Sequence, residues 1–412
     1  MENIYVGLDI GTTKVCAIVA SLGPNQEINI LGIGKSKSDG LTRGVITHID
    51  RTIASIRAAV ADAEAQSGTK ITSVVAGIAG DHVQSYQSRG VVAISGAEQE
   101  ITQADVNRLI EDTKKIALPS DRKIIHVIPQ AFIVDGQDGV TDPVGMSGVR
   151  MEASVHIITG LVSAAQNIIK CVQRSGVSVS DIVLEPIASS EAVLDKEEKE
   201  VGVALIDIGG GTTDLAVFED RTIRHTAVIG IAGRSVTDDI RRGLGVLTEQ
   251  AEYLKITHGH AYMAGVIDNA PITVPGIGAR PPVEMDTKSL CQIIQPRMEE
   301  ILEIVALEIN RSGYQKHLGA GIVLTGGGSL IKGTADLARE VLGMPVAIGI
   351  PKGFHGGFVR EIENPMYATG VGLVMHAIKH REQPHVDSIR PPRMDGKLKT
   401  IISKMVHWFD EL

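Results

Sequence analysis

Two stretches of the sequence carry a residue pattern that suits phosphate binding. Residues 6–15 read VGLDIGTTKV and residues 203–217 read VALIDIGGGTTDLAV. In each, an aspartate lies near the end of an apolar strand, and glycine and two threonines lead into a second apolar strand. Glycines let backbone N–H groups approach phosphate oxygens, and threonine hydroxyls add donors. One copy alone fits an ordinary tight hairpin equally well, but two copies roughly 200 residues apart favour a duplicated domain with a ligand between its halves.

The two copies supply the predicted phosphate-binding residues. They are Asp9, Gly11, Thr12, Thr13 and Lys14 in the first copy, and Asp207, Gly209, Gly210, Gly211, Thr212 and Thr213 in the second. Asp9 and Asp207 occupy equivalent strand ends. We therefore expect these two carboxylates to face each other across a cleft and to hold Mg²⁺ through its water molecules.

A third glycine-rich stretch follows at residues 321–333, GIVLTGGGSLIKG. Its pattern predicts a strand that ends in Gly326, Gly327 and Gly328, with a helix that begins at the next Ser-Leu-Ile. Glycines at this position let a flat base or ribose lie against the backbone. By itself the stretch resembles a turn of a dinucleotide-binding domain, but it lacks the GxGxxG spacing. As the third member of a set, it is the predicted nucleoside-facing turn.

Apolar runs and helical repeats predict the elements that position these turns. Predicted buried strands lie at residues 6–10, 74–78, 203–208 and 321–325, and predicted helices at residues 52–67, 164–175, 248–259 and 298–310. Strands that alternate with helices indicate an α/β architecture. The pattern changes from residue 81 to about residue 160, where strand-like segments flank a helix over residues 101–118 that Thr102 caps. This block predicts a small α+β subdomain inserted in the first half.

Composition excludes several classes of protein. With 412 residues, 43% hydrophobic and 22% charged, the chain has an ordinary globular composition and a length for roughly two to four domains. A net charge of −9 argues against a nucleic-acid binder that works through bulk charge. Three distant cysteines without a CxxC pair indicate a reducing compartment. We see no signal peptide and no apolar run of about 18 residues, so we expect no membrane-spanning segment.

The three glycine-rich elements, in this order, resemble those of the actin-like ATPase superfamily, which includes actin, heat-shock chaperones and sugar kinases. The resemblance matches residues 7–15 to the first phosphate loop, residues 206–214 to the second and residues 324–328 to the adenosine loop. It implies an α/β, actin-like (ribonuclease H-like duplicated) ATPase fold. In that fold, two halves surround a nucleotide cleft that binds ATP and Mg²⁺.

The resemblance also points to three charged residues. Residues 181–194, DIVLEPIASSEAVL, resemble the superfamily's connecting helix, in which Glu185 matches the residue that orients the attacking water. The alternative is a surface carboxylate before a helix-starting proline. Glu252 and Lys255 match residues that contact the adenosine in the superfamily, although their spacing alone most often means a surface ion pair.

Within the superfamily, residues 4–372 resemble the FtsA family, the actin-like anchors of the bacterial division ring. The likeness rests on the inserted subdomain and on LEPIASSEAVL, IDIGGGTTDLAVF, GRSVTDDIRRGLGV and ENPMYATGVGL. It implies self-association into filaments and at most weak ATP hydrolysis. It also implies a surface within about residues 244–296 that binds the C-terminal tail of the tubulin-like FtsZ, with Arg280 and Arg297 at basic positions. Recruitment of later division proteins to the cytoplasmic face of the inner membrane belongs to the same expectation.

Two other members of the superfamily are alternatives. One is another actin-like scaffold, such as a pilus-assembly ATPase. The other is a sugar-kinase-type phosphotransferase, which needs a catalytic carboxylate beside a substrate pocket. We find no second carboxylate motif in the first half that plays that part, so the kinase is the less favoured alternative.

The last residues, 397–412, read KLKTIISKMVHWFDEL and carry an apolar stripe at helical spacing. The predicted membrane-facing residues are Leu398, Ile401, Ile402, Met405, Trp408, Phe409 and Leu412. A polar, proline-containing linker precedes the stripe, lysines flank it, and tryptophan suits the lipid–water interface. A helix that docks on the body, or a coiled coil, fits the same stripe. With the family resemblance, a C-terminal amphipathic helix that anchors the chain reversibly to the membrane is favoured.

These boundaries divide the chain into segments. We expect the first half to consist of residues 1–80 and 163–199, with residues 81–162 as the inserted subdomain. The core of the second half is expected at residues 200–243 and 298–364, with residues 244–297 as its partner-binding insertion. Residues 365–381 are expected to form a helix back to the first half, residues 382–396 a flexible linker and residues 397–412 the membrane-targeting helix. Residues 195–200 and 271–285 are predicted to be surface loops.

Overall fold

The computed structural model describes residues 3–95, 100–276, 278 and 281–381. The predicted linker, the predicted membrane-targeting helix and Arg280 lie outside these described residues. The strands are β1 Asn3–Ile10, β2 Lys14–Leu22, β3 Ile28–Lys37, β4 Leu41–Thr42, β5 Val45–Ile46, β6 Ser73–Ile78, β7 Gln84–Ala93, β8 Arg122–Val134, β9 Gln137–Val140, β10 Arg150–Leu161, β11 Ser178–Leu184, β12 Val203–Ile208, β13 Thr213–Glu219, β14 Thr222–Ile229, β15 Pro271–Val274, β16 Val283–Asp286, β17 Ile322–Thr325, β18 Val346–Ile348 and β19 Gly356–Gly357.

The α-helices are α1 Ile49–Ser67, α2 Gln103–Thr113, α3 Val162–Arg174, α4 Glu185–Val193, α5 Lys196–Val201, α6 Gly233–Leu244, α7 Thr248–His258, α8 Thr287–Ser312, α9 Thr334–Leu342, α10 Val359–Ile362 and α11 Ala368–Lys379. Short 3₁₀ segments are Met263–Gly265, Gln315–His317, Gly327–Leu330 and Pro365–Tyr367. Within the described ranges, none of the helices has the length and apolar content needed to cross a bilayer.

The two halves are built on sheets of the same design. The first has the strand order β11-β6-β1-β2-β3-β19, in which β1, β2 and β3 are antiparallel and β6 and β11 extend the sheet in parallel. The second has the order β18-β17-β12-β13-β14, again with three antiparallel strands and two parallel ones. Five strands in the same order and direction therefore occur twice, which confirms the duplication predicted from the two glycine-rich copies.

Helices α4 and α11 pack between the two sheets. Side chains of both sheets, such as Ile18 and Leu205, share one buried apolar cluster with Val371 and Val374 of α11. Both faces of the central strands are therefore covered, and β12 and β13 read as nearly continuous apolar runs for that reason. This core fixes the strand ends that carry the glycine-rich turns.

The inserted subdomain is an antiparallel sheet, β7-β10-β8-β9, with α2 packed against it. It has an apolar core of its own, which includes Leu109, Phe132 and Val155. The α2 helix begins as predicted, because Thr102 accepts a hydrogen bond from the Asp105 N–H and the Asp105 carboxylate accepts one from the Thr102 N–H. It ends at Thr113, earlier than predicted.

The subdomain contacts both halves through polar groups. The Nε2 atom of His126 accepts a hydrogen bond of 3.0 Å from the Leu184 N–H in the first half. On the other side, Gln130 Nε2 donates to the carbonyls of Ile223 and Arg224 in β14, over 2.7 and 3.2 Å. The insertion therefore hydrogen-bonds the edge strand of the second sheet.

Two predictions of surface loops are wrong. Residues 195–200 lie largely in the short helix α5, whose N-terminus Asp195 and Glu198 close with a capping box. Their charged side chains lie on an exposed face of this helix. A solvated helix face and a surface loop have similar compositions, so the charge run alone does not distinguish them. Residues 271–285 contain the hairpin β15–β16, and Ile272 and Val274 of β15 are buried in the core of the second half.

We expect Gly372→Ala to destabilise the fold at the α4–α11 crossing. An added Cβ would lie 1.8 Å from the Ala188 carbonyl oxygen, so the two helices must separate. Overpacking of this kind costs about 1–3 kcal/mol, against a gain of at most about 1 kcal/mol in helix propensity. Urea unfolding measures the difference. Gly243→Ala in α6 is the control, because its added Cβ meets only the end of the Ile293 side chain, at 3.2 Å; equal effects of the two substitutions would contradict the argument.

Candidate functional site

The predicted turns meet around one cavity of about 280 Å³. The predicted site residues that line it are Asp9, Gly11, Thr12, Thr13, Lys14, Glu185, Asp207, Gly209, Gly210, Gly211, Thr212, Glu252, Lys255, Gly326, Gly327 and Gly328. These residues come from the turns of both halves, from α4 and from α7. The structure therefore brings together three sequence elements that are far apart in the chain.

The two phosphate-type turns have the same backbone geometry. In the first, the Gly11 N–H donates to the Lys14 carbonyl over 3.0 Å, and in the second, the Gly209 N–H donates to the Thr212 carbonyl over 2.9 Å. Each turn joins two antiparallel strands of its sheet. Similar strand ends, Asp-Ile-Gly in both copies, thus lead into a four-residue hairpin turn closed by the same hydrogen bond in each half, as predicted.

The turns contact each other across the cavity. A Cβ atom added to Gly210 would lie 1.9 Å from Thr13 Oγ1, and one added to Gly211 would lie 2.4 Å from Thr12 Oγ1. A residue with a side chain does not fit at such distances. The glycines of the second turn are therefore required for the approach of the two halves, in addition to any contact with a ligand.

Thr213 is a predicted site residue that does not line the cavity. Its side chain is buried, and its hydroxyl donates to the Ile231 carbonyl over 2.7 Å. Successive side chains of a strand point to opposite faces, so Thr212 and Asp214 face the cavity and Thr213 faces away. Asp214 was absent from the predicted set, although this alternation would have identified it.

Besides Glu252, which pairs with Lys255, four carboxylates line the cavity, and the pKa of each of these four is raised. Burial raises the pKa of Asp9 to about 6, against an opposing effect of the Lys14 ammonium. Burial, followed by repulsion from neighbouring carboxylates, raises the pKa of Glu185 and of Asp214 well above the usual range. Burial also raises the pKa of Asp207, which hydrogen bonds from hydroxyls oppose. The cavity is thus acidic and strongly desolvated, an arrangement that favours a bound cation.

The carboxylates fit a hydrated Mg²⁺ ion. Asp214 Oδ1 is buried and has no hydrogen-bond partner among the described residues. Over residues 3–381, apart from the undescribed gaps, no three His, Cys, Asp or Glu side chains are arranged to hold a metal ion directly. Mg²⁺ keeps several of its waters in many protein sites and is held by one or two carboxylates together with substrate phosphates. The arrangement therefore suits the water-mediated role predicted for Asp9 and Asp207.

Two hydroxyls orient Asp207. Ser189 Oγ in α4 donates to Asp207 Oδ2 over 2.7 Å, and Thr369 Oγ1 in α11 donates to the same oxygen over 3.3 Å. Neither was predicted, because a lone Ser or Thr in a helix carries no signal in the sequence. Thr369 also lines the cavity.

Glu185 is the first residue of α4 and reaches the cavity from β11. The absence of a side chain at Gly77 makes room for it, because a Cβ there would lie 3.1 Å from Glu185 Cγ. Its neighbours include Asp9, Asp207 and Asp214, whose charges act on its pKa. The alternative of a surface carboxylate is therefore wrong.

Glu252 and Lys255 form an ion pair over 2.8 Å at the wall of the cavity. Lys255 is buried, and its Nζ also donates to the Gly233 carbonyl and to Thr237 Oγ1, over 3.1 and 2.9 Å. The pair is thus part of the site rather than of the protein surface. The positive charge of Lys255 is compensated inside the protein.

The third glycine-rich turn lies against the second. Gly326 has φ +81°, and a Cβ there would lie 2.2 Å from Asp207 Oδ1. Gly328 packs on Ile208, where a Cβ would lie 2.3 Å from the Cγ2 atom. Residues Gly327–Leu330 form a 3₁₀ segment, and the α-helix that follows begins later than predicted, at Thr334.

Arg297 lies away from the cavity lining and is engaged within the chain. Its Nε donates to Asp239 Oδ2 over 2.6 Å, and its Nη1 contacts Glu300. The Asp239 bond holds the guanidinium against α6, whereas the Glu300 contact lies within α8. Arg280, the other predicted basic position, lies outside the described residues.

We expect Asp9→Asn to stabilise the ligand-free protein more at pH 7.5 than at pH 4.5. The pKa of Asp9 is raised in the folded state, so its ionisation opposes folding, and this cost appears as pH rises from 3.8 through about 6. The gain should be on the order of 3 kcal/mol at pH 7.5 and about 1 kcal/mol at pH 4.5. Urea unfolding without nucleotide or Mg²⁺, at the two pH values, measures it. The exposed Asp138→Asn serves as the control, and an equal effect of Asp9→Asn at both pH values would rule the argument out.

Solved structures with this architecture show the fold. A PilM–PilN type IV pilus biogenesis complex matches with a TM-score of 0.66 at 16% identity, over 91% of this chain and 98% of that one. MreB5 of Spiroplasma citri bound to ADP matches with a TM-score of 0.55 at 16% identity, over 92% of this chain and 98% of that one. At this identity the likeness concerns the fold alone, which is the predicted actin-like fold.

Sequence comparisons identify the family. Residues 204–372 match the family described as cell division protein FtsA, and residues 80–159 match one described as SHS2 domain inserted in FTSA. The FtsA proteins of Pseudomonas aeruginosa and Neisseria meningitidis are 44% and 42% identical to the chain, over 92% and 98% of its length and 90% and 97% of theirs. That of Escherichia coli K12 is 38% identical over 90% of each chain. With this identity over nearly its full length, the chain belongs to the FtsA family of cell division proteins.

Proposed function

We propose that the chain is an ATP-binding, actin-like division protein that assembles into filaments and tethers the FtsZ ring to the cytoplasmic face of the inner membrane. The observation that supports nucleotide binding is the cavity itself. Two phosphate-type turns of identical geometry face each other there, beside a glycine-rich turn that leaves room for a base or ribose. Membership of the FtsA family supports the cellular role.

In this proposal the turns bind the phosphates, and the carboxylates hold Mg²⁺. Backbone N–H groups and the hydroxyls of Thr12, Thr13 and Thr212 supply donors for phosphate oxygens. Asp9 and Asp207 contact the hydrated cation, whose charge relieves the repulsion among the acidic groups. Glu185 orients a water molecule near the terminal phosphate. We expect the chain to hydrolyse ATP weakly at most.

The second half offers a surface for a partner outside the cavity. In the predicted partner-binding insertion, Ile267 is 98% exposed and Val283 at the start of β16 is 63% exposed. Apolar side chains beside an exposed hairpin suit an extended peptide such as the FtsZ tail. Arg280 and Arg297 stay proposed partner-binding residues because the family resemblance matches them to basic positions, and the Arg297 guanidinium is bound by Asp239. Later division proteins are expected at other surfaces.

The membrane anchor is the amphipathic stripe of residues 398–412. One such helix binds a lipid surface only reversibly, because interfacial burial is partial and helix formation costs conformational entropy. A filament that presents many copies binds far more tightly through effective concentration. Attachment of the peripheral protein to the membrane at the division site therefore depends on assembly.

The alternatives are less well supported. The pilus-assembly complex resembles the chain in fold at 16% identity, whereas the division proteins reach 38–44% over nearly the full length. A sugar-kinase-type enzyme needs a separate carboxylate beside a substrate pocket. Asp9, Glu185, Asp207 and Asp214 instead lie close enough together in one cavity for their charges to act on one another.

We expect Asp207→Ala to weaken the binding of Mg–ATP at least about tenfold and to reduce ATP-dependent assembly. The substitution removes a cation-binding carboxylate and leaves Ser189 and Thr369 without their acceptor. Calorimetry measures binding, and sedimentation with and without ATP measures assembly. Asp138→Ala on the inserted subdomain is the control. A wild-type protein without affinity for Mg–ATP, or an Asp207→Ala protein that assembles normally with ATP, would refute the proposal.

We expect the full chain to carry FtsZ to anionic vesicles. Wild-type protein should co-sediment with the vesicles and recruit FtsZ, but not FtsZ that lacks its C-terminal tail. Trp408→Glu with Phe409→Glu places charges in the apolar stripe and should abolish both signals, whereas Trp408→Phe should retain most of the binding. Unchanged binding of the double Glu variant would rule out the anchor. Recruitment of tailless FtsZ would rule out the tail as the ligand.

A further inference from the structure

The Lys14 ammonium is held at the cavity by groups that carry no net charge. Its Nζ donates to the Met366 carbonyl and lies 4.4 Å from the centre of the Tyr367 ring. Among the described residues, no carboxylate lies within ion-pairing distance of it. Lys255 at the same cavity is different, because Glu252 neutralises it over 2.8 Å. Lys14 therefore brings to the first phosphate-type turn a positive charge that no described carboxylate pairs directly, although Asp9 and Asp207 are near enough for the ammonium to lower the pKa of each.

Tyr367 belongs to a short segment that contacts the first and third turns. The 3₁₀ segment Pro365–Tyr367 is fixed at its start by Asn364, which accepts a hydrogen bond from the Met366 N–H over 3.0 Å. The Pro365 carbonyl accepts from the Gly326 N–H in the third turn over 3.2 Å. Two residues after Tyr367, the Thr369 hydroxyl bonds the Asp207 carboxylate. The ring is buried, so its position is set by this packing.

We propose that Tyr367 is a positioning residue that directs the Lys14 ammonium at the distal phosphates of the bound nucleotide. The inference rests on the proposed ATP binding. An aromatic face attracts a cation through its quadrupole without cancelling the charge. A carboxylate at the same place would hold the lysine equally well but would remove its attraction for phosphate. Tyr367 and the Met366 carbonyl thus fix the lysine while its charge remains available to the ligand.

A second ammonium lies over the same ring. Lys35 Nζ is 4.8 Å from the ring centre, and Lys35 is exposed and does not line the cavity. The ring therefore contacts one cation that belongs to the site and one that does not. This pair allows a matched comparison, because removing either charge alters the surroundings of the same ring, but only Lys14 can contact a ligand in the cavity.

The test compares ADP with adenosine, since only ADP carries the phosphates that Lys14 would contact. Mg–ADP and adenosine are titrated into the full chain by calorimetry. Tyr367→Leu should weaken ADP binding by between about two- and thirtyfold, the range of a cation–π contact, and leave adenosine binding unchanged. Tyr367→Phe keeps the ring and should bind ADP like the wild type. Lys35→Gln should change the affinity for ADP less than about twofold.

A double-mutant cycle shows whether Tyr367 acts through Lys14. In a Lys14→Met background, Tyr367→Leu should cause no further loss of ADP affinity. An equal loss in both backgrounds, or a parallel loss for ADP and adenosine, would show a general packing role and overturn the proposal. So would wild-type ADP affinity in Tyr367→Leu, or a loss in Lys35→Gln as large as that in Lys14→Met. Failure of the underlying function is distinct, because the wild-type protein would then bind neither ligand.

Discussion

Repulsion between buried carboxylates is the constraint on which the cavity depends. Asp9, Glu185, Asp207 and Asp214 come from both halves, and the pKa of each is raised by desolvation and, for most of them, by the charges of the others. Contact between the glycines of one turn and the threonines of the other brings these groups together. In the ligand-free chain, repulsion between these carboxylates therefore opposes the contact between the two turns. A cation with an anionic ligand removes that opposition, so closure of the halves is thermodynamically linked to what the cavity binds.

The packing of α4 against α11 in the core positions a carboxylate of the cavity. The two helices cross at Gly372 and Ala188, in contact so close that a methyl group has no room. Ser189 of α4 and Thr369 of α11 bind the same oxygen of Asp207. The orientation of this carboxylate is thus fixed by the helix crossing rather than by the turn that follows it. A close backbone contact between two helices in the core in this way helps to determine the geometry of the site.

Local rules made much of the site predictable. Glycine, threonine and aspartate at strand ends specify hairpin turns whatever the distant surroundings, and both turns formed as expected. The capping of α2 by Thr102 was equally local. The predicted site lacks Asp214, although period-two alternation places it on the same face as Thr212, because the prediction follows the glycine–threonine motif and does not apply the alternation of side chains to the strand that begins there. It includes Thr213 for the same reason, although the Thr213 hydroxyl bonds Ile231.

Other features depend on tertiary contacts that no local pattern encodes. Ser189, Thr369 and Tyr367 acquire their partners only when α4 and α11 insert between the sheets. The contact of the inserted subdomain with β14 is of the same kind, since Gln130 bonds backbone carbonyls that carry no sequence signal. The subdomain is covalently part of the first half, yet it hydrogen-bonds the second. A change in the angle between the halves would therefore break these bonds or move the subdomain, so the position of the insertion depends on both halves.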